Sequence, residues 1–215
     1  MQCHMENHFV DLLQGYRFRG GLAYEAARQG LLHTLLWIDD HNCPSDDNED
    51  IFEGSAKGGY LDCMKWAYER ATVRCYSFDA DSTCTTAAEN GHLPIIVWIY
   101  VHLSIGYKNS YMLCNTAVEF GHLHCLIWAR ENGHKWNSKT CMIASGGGFL
   151  QCLIWARENG CDWDKLTCYY AAARGHLDCL KWAREHGCEW DRTICTISAG
   201  TGNLDCLIWA KDYCF

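Results

Sequence analysis

Residues 176–191 read HLDCLKWAREHGCEWD. At 100° per residue, Leu177, Cys179, Leu180, Trp182 and Ala183 fall on a broad apolar arc, and Asp178, Lys181 and Glu185 share a narrow stripe opposite. A helix apolar over more than half its circumference is sandwiched between neighbours, and Gly187 supplies its stop. Upstream, KLTCYYAAARG predicts a second, shorter helix that ends at Gly175. The unit therefore reads helix, glycine turn, helix and a short connection such as GCEWDRT, with no strand alternation of useful length.

The same pattern recurs along the chain. Trp37, Trp66, Trp98, Trp128, Trp155, Trp182 and Trp209 follow one another at intervals of 29, 32, 30, 27, 27 and 27 residues. A glycine stands seven residues before each of them (Gly30, Gly59, Gly91, Gly121, Gly148, Gly175, Gly202) and a leucine five before (Leu32, Leu61, Leu93, Leu123, Leu150, Leu177, Leu204). Small residues recur ten and eleven before, as at Ala26-Ala27, Ser55-Ala56, Ala87-Ala88, Ala171-Ala172 and Ser198-Ala199, and let two helices approach closely. Repetition at this period predicts stacked units rather than a single enzyme-like core.

The residues of 167–191, TCYYAAARGHLDCLKWAREHGCEWD, resemble the ankyrin repeat, and Gly-His-Leu appears intact at 91–93, 121–123 and 175–177. The resemblance spans roughly residues 20–215. It departs from the family where Thr167 and Cys168 stand for the usual Pro and Leu, and where the later units shrink to 27 residues by losing the connection after Trp190. It implies an all-α, ankyrin-like α-solenoid of about seven helix-turn-helix repeats over 21–215, with shortened or missing β-hairpin fingers. Residues 1–20 become an N-terminal capping segment in which Phe9, Val10, Leu12 and Leu13 cover the first unit. Units this short and this rich in Trp and Cys also resemble the ankyrin-like repeat proteins of large DNA viruses of amoebae. The turn histidines His92, His122 and His176 are then expected to hydrogen-bond to neighbouring units.

Charge and cysteine usage narrow the function. A formal net charge of -8 disfavours a phosphate-backbone binder. The most membrane-like run, 94–107, is too short to span and holds His102 and Ser104. No secretory signal opens the chain, so the 16 cysteines read as free thiols of a reducing intracellular compartment: the host cytoplasm for a viral protein, with nucleus and virion also open. Two of their columns, Cys84, Cys114, Cys141, Cys168 and Cys195 in first helices and Cys63, Cys125, Cys152, Cys179 and Cys206 in second helices, take core positions. Equivalent positions on stacked helices lie about 8–10 Å apart, beyond disulfide reach.

No catalytic, metal or cofactor site is expected. There is no C-x-x-C, and His122, His124 and Cys125 form the densest ligand cluster. SGGG (145–148) lacks a phosphate loop's Lys-Ser/Thr and reads as a flexible helix end. The acidic stretch 43–52 lacks calcium-loop spacing and reads as a solvated connection. The expected activity is a non-enzymatic protein-interaction scaffold, acting in the host cell if the chain is viral. A structural virion component and an enzyme or nucleic-acid binder with an unfamiliar site are the alternatives. Ankyrin geometry lines the inner groove with the residues before each turn glycine, which makes Arg28, Gln29, Lys57, Glu89, Asn90, Glu119, Phe120, Arg174 and Thr201 the candidate binding residues for an unidentified protein partner, with Phe120 beside Arg174 as a hot spot. The residue before each Trp (Leu36, Val97, Ile127, Ile154, Ile208) predicts an apolar stripe on the outer face. The last unit keeps the interior pattern at Cys195, Ile197, Leu204, Cys206, Leu207 and Trp209, so a homodimer through this C-terminal repeat is expected.

Overall fold

The computed structural model describes residues 21–41, 48–74, 78–103 and 111–214, and the proposed capping segment 1–20 lies outside them. Among the described residues all regular structure is helical, in fourteen helices. They divide into two compact units, 1–105 and 106–215. The first holds α1 (Leu22–Arg28), α2 (Leu32–Asp40), α3 (Asn48–Gly58), α4 (Leu61–Arg74), α5 (Ala80–Glu89) and α6 (Leu93–Leu103). The second holds α7 (Met112–Glu119), α8 (Leu123–Glu131), α9 (Ser138–Gly147), α10 (Leu150–Glu158), α11 (Lys165–Arg174), α12 (Leu177–Glu185), α13 (Thr193–Thr201) and α14 (Leu204–Cys214).

Each odd-numbered helix turns back into the even-numbered one after it through its glycine. At Gly175, φ is +79°, and the His176 N–H reaches back to the Ala171 carbonyl at 2.8 Å, so a left-handed residue ends one helix and positions the next. The first helices of successive pairs pack broadly side by side within each unit, whereas the second helices touch sparsely. The small residues explain the difference. Thr167, Cys168, Ala171 and Ala172 of α11 are buried, as are Thr140, Cys141, Ala144 and Ser145 of α9 at the same positions 27 residues earlier. Each second helix buries its own set, Cys179, Leu180 and Ala183 in α12, for example.

The turn residue of one pair rests on the turn glycine of the pair before. His92 Nε2 lies 3.1 Å from the Lys57 carbonyl oxygen, and a Cβ on Gly148 would stand 2.6 Å from His176 Nδ1. In the last pair Asn203 takes this place, and its Nδ2 donates to the carbonyls of Ala172 and Ala173, both at 2.9 Å.

Among the described residues no strand forms where fingers would project. In the second unit a ladder of arginine and tryptophan takes their place. Arg130, Arg157 and Arg184 lie 4.5, 4.6 and 5.1 Å from the rings of Trp136, Trp163 and Trp190. Those rings meet Trp155, Trp182 and Trp209 of the following helices at 5.7, 5.8 and 5.5 Å. Each pair is thus joined to the next by a cation–π contact followed by an aromatic one.

The cysteines bear out their columns with one correction. Cys63, Cys84, Cys114, Cys125, Cys141, Cys152, Cys168, Cys179 and Cys206 are buried free thiols. Burial pushes Cys84, Cys114 and Cys179 up to about 12 and Cys125 and Cys152 up to about 11. Cys161 and Cys188 are more than apolar filler: their Sγ atoms donate to the carbonyls of Asn137 and Asp164 at 3.3 and 3.2 Å, tying one connection to the next. Cys195 is the exception, half-buried and disulfide-bonded, although its column predicts a free core thiol.

Two further expectations are corrected. Residues 48–52 of the acidic stretch belong to α3, where Ile51 and Phe52 are buried. Within SGGG, residues 145–147 are helical, and Ser145 is buried with its Oγ donating to the Thr167 carbonyl at 2.8 Å. Gly146 is buried, and a Cβ there would stand 3.2 Å from the Tyr170 Cβ.

Candidate protein-binding surface

In α5, α9 and α11 the buried positions come in adjacent pairs one turn apart, which leaves a matching set of open positions on the other side. In α11 the open set is Leu166, Tyr169, Tyr170, Ala173 and Arg174. Within each unit these open sets change from pair to pair.

The candidate residues all lie at the C-terminal ends of first helices, with different freedom to meet a partner. Arg28 and Gln29 are exposed but both held by Glu25: Arg28 Nη2 donates to Oε1 at 2.6 Å and Gln29 Nε2 to the same oxygen at 2.7 Å. The Arg28 hydrogen bond chiefly holds the Glu25 carboxyl down at about 2. Lys57 is exposed, Glu89 half-buried, and the Asn90 Nδ2 is turned back onto the Thr86 carbonyl at 2.8 Å. Thr201 Oγ1 likewise donates to Ile197 at 2.8 Å. Glu119 and Arg174 are exposed, and Phe120 is 46% exposed, which favours an anchor over a packed ring.

Phe120 and Arg174 do not sit side by side. They occupy the same position two helix pairs apart, a separation of two steps of about 8–10 Å. Between them the intervening pair has Gly147, against which Phe149 packs. The neighbours of Arg174 are instead Tyr170 and Tyr169, whose rings meet edge to face at 5.4 Å.

Sequence reasoning missed the earlier turns of these helices. Met112 is 57% and Leu166 41% exposed, and Met142, Ile143 and Ile197 are half-buried in the same open set. A hollow between α11 and α13 is lined by Leu166, Tyr169, Thr193 and Ile194 and rimmed by the Lys165–Asp191 pair at 3.5 Å. The available signal was the mismatch of type, with large apolar residues standing where a solvated helix face carries polar ones. In the first unit the corresponding hollow is acidic, lined by Phe52, Glu53, Asp79, Ser82, Thr83 and Thr86.

On the second helices, Ile127 and Ile154 are half-buried, while Leu36 and Ile208 are 39% and 50% exposed. No helix among the described residues is long and apolar enough to cross a membrane. Of His122, His124 and Cys125, the two rings stand 6.0 Å apart and Cys125 is buried in the core, the place its column predicts.

Residues 168–210 match the family model of ankyrin repeats. No curated protein matches the chain. Among solved structures, the human ASB11 ankyrin repeat domain superposes with a TM-score of 0.59 at 17% identity, over 78% of this chain and 84% of that one. With its paired helices, left-handed glycine turns and absence of strands among the described residues, the chain has the fold of an ankyrin-repeat solenoid.

Proposed function

We propose that the chain is a non-enzymatic scaffold that holds a protein partner on the open face of its first helices. Ankyrin repeats generally mediate protein–protein interactions. The observation that carries the reading here is the open set itself, which keeps Met112, Phe120 and Leu166 in solvent. The setting is intracellular, in the host cytoplasm for a viral protein. Photocrosslinking tests the face. A benzoylphenylalanine at position 120 or 166 is expected to trap a protein in the native cell, and one at the exposed second-helix position 185 is not. Adducts confined to position 185, or none at all, would refute it. Recovery of the chain as an abundant part of purified particles would favour a virion component instead.

A specific observation supports self-association at the last pair. Ala199 is exposed where Ala27, Ala56, Ala88, Val118, Ser145 and Ala172 are buried, Leu207 is half-buried where its six counterparts are buried, and Leu204 is 61% exposed. This uncovered interior-type surface fits a homodimer contact. Light scattering at tens of micromolar should report a dimer that Leu204→Glu dissociates. A monomer at that concentration would refute the contact.

A further inference from the structure

We infer that the open face of α7, α9, α11 and α13 binds a partner segment that is both apolar and acidic. The inference rests on the scaffold reading above and names the chemistry of its partner.

Two observations carry it. The first is the apolar stripe, on which Met112, Phe120 and Leu166 are exposed and Met142, Tyr169 and Tyr170 are half-buried. Thioether and phenol side chains of this kind present large contact area and adapt to their partner. The second is charge. Lys139, Lys165, Arg174 and Arg192 are exposed on these helices and at their starts, against Glu119, Asp164 and Asp191. Lys165 is matched by Asp191 at the rim at 3.5 Å. Lys139, Arg174 and Arg192 are exposed and make no ion pair among the described residues.

This polarity is local. Residues 1–105 contain 7 Lys and Arg against 15 Asp and Glu, which is the whole formal charge of -8, whereas residues 106–215 contain 11 of each. The open positions of α1, α3 and α5 run the other way, with Glu25, Glu53, Asp81 and Glu89 against Arg28 and Lys57. An acidic segment is therefore repelled by the first unit's open helices and attracted by the second's, and the sign of the face selects its partner. Length follows from the stacking. Four first helices span three steps of about 9 Å, which an extended strand of about 3.3 Å per residue crosses in roughly eight residues.

Phage-displayed random dodecapeptides selected on the full chain test the inference, followed by fluorescence anisotropy of the enriched peptide. The enriched sequences should combine Leu, Ile, Phe or Trp with Asp or Glu and carry net negative charge. Lys139→Glu and Arg174→Glu, each checked for an unchanged far-UV spectrum, should weaken binding about tenfold or more, and Glu53→Lys should not. Replacing the peptide's acids by lysine should reverse the order of the variants. Enrichment of basic or neutral peptides, indifference to both charge reversals, or binding of phosphatidylserine vesicles in place of peptides would overturn it. Basic peptides displaced by Glu53→Lys would do so while leaving the scaffold reading intact. Failure to enrich any peptide would overturn the inference alone, since the photocrosslink at position 120 decides the scaffold reading separately.

Discussion

Truncating one rung of the ladder gives the sharpest test of how the second unit holds together. Arg157 stands 4.6 Å from the Trp163 ring and donates from Nη1 to the Cys161 carbonyl at 3.2 Å. It therefore joins the end of α10 to the connection that carries Trp163, which in turn meets Trp182 of α12. A half-buried cation–π contact contributes about 1 kcal/mol, and a hydrogen bond from a charged donor about 1.5 kcal/mol. Allowing for residual solvation, Arg157→Ala should cost about 2 kcal/mol, which for a chain of this size lowers the midpoint by roughly 4–8 °C. Arg157→Lys keeps the charge but not the planar stack, and should recover less than half of the loss. A double-mutant cycle with Trp163→Ala should return a coupling of about 1 kcal/mol. Urea unfolding read by both circular dichroism and tryptophan fluorescence measures all of these. If Arg157→Ala falls within about 0.5 kcal/mol of the exposed control Glu158→Ala, or if the cycle shows no coupling, the ladder is ornamental and the units are held by the buried columns alone.

The buried thiols predict a pH dependence with a definite sign. Cys84, Cys114 and Cys179 are raised to about 12 in the folded chain by burial, against an unfolded value near 8.5. Their stabilisation is complete below about 8.5 and is lost as pH climbs towards about 12, because the unfolded chain releases protons that the folded one retains. The urea midpoint should drop between neutral pH and pH ~10, and Cys114→Ala should flatten the drop; a midpoint constant over that range would contradict the burial. Thiol reagents should label Cys125, Cys152 and Cys179 slowly in the native chain and quickly in urea, and rapid native labelling would contradict it independently. Asn203→Ala removes two hydrogen bonds to the α11 terminus and should cost about 1–2 kcal/mol, with Asn203→His recovering part of it; equal stability of all three would show that the turn residue only fills space.

The repeated elements were legible because each is fixed by local chemistry at a fixed offset. The turn glycines, the small residues of the first helices and the cores of the second helices could be read from single columns, and outside the last pair, where Ala199 and Leu207 are uncovered, they take the predicted places. What escaped depended on pairs. Arg157 and Trp163 stand in periodic columns of their own, but nothing along the chain says that one stacks on the other and then on Trp182. The acidic stretch was misread for a different reason. Residues 48–50 open α3, so the polar run in the sequence there marks the beginning of a helix rather than a loop. The glycines of 145–148 were taken for flexibility, whereas Gly146 and Gly147 make room for the rings of Tyr170 and Phe149. On the open face the candidate residues mark the right helices, but only the last turn of each. The exposed Met112 and Leu166 differ from their counterparts, and a position that varies offers periodicity nothing to detect.

Shortening the connection to give a 27-residue unit and presenting large side chains on the first helices have linked consequences. A projecting finger would supply contacts between neighbouring pairs and surface for a partner. Here the connections meet through the arginine–tryptophan ladder, whose rings are half-buried and committed to one another. That commitment leaves recognition to the open sides of the helices, since the buried sides, Ala171 and Ala172 among them, are taken up in packing against neighbours. The remaining freedom lies in Leu166, Tyr169, Tyr170 and Arg174 and in the equivalent positions of the neighbouring helices. The ladder and the open face therefore separate stability from specificity. Substitutions at Arg157 should change the unfolding midpoint and leave partner affinity intact, whereas Arg174→Glu should do the reverse, and a variant that shifted both together would show that the two are one device.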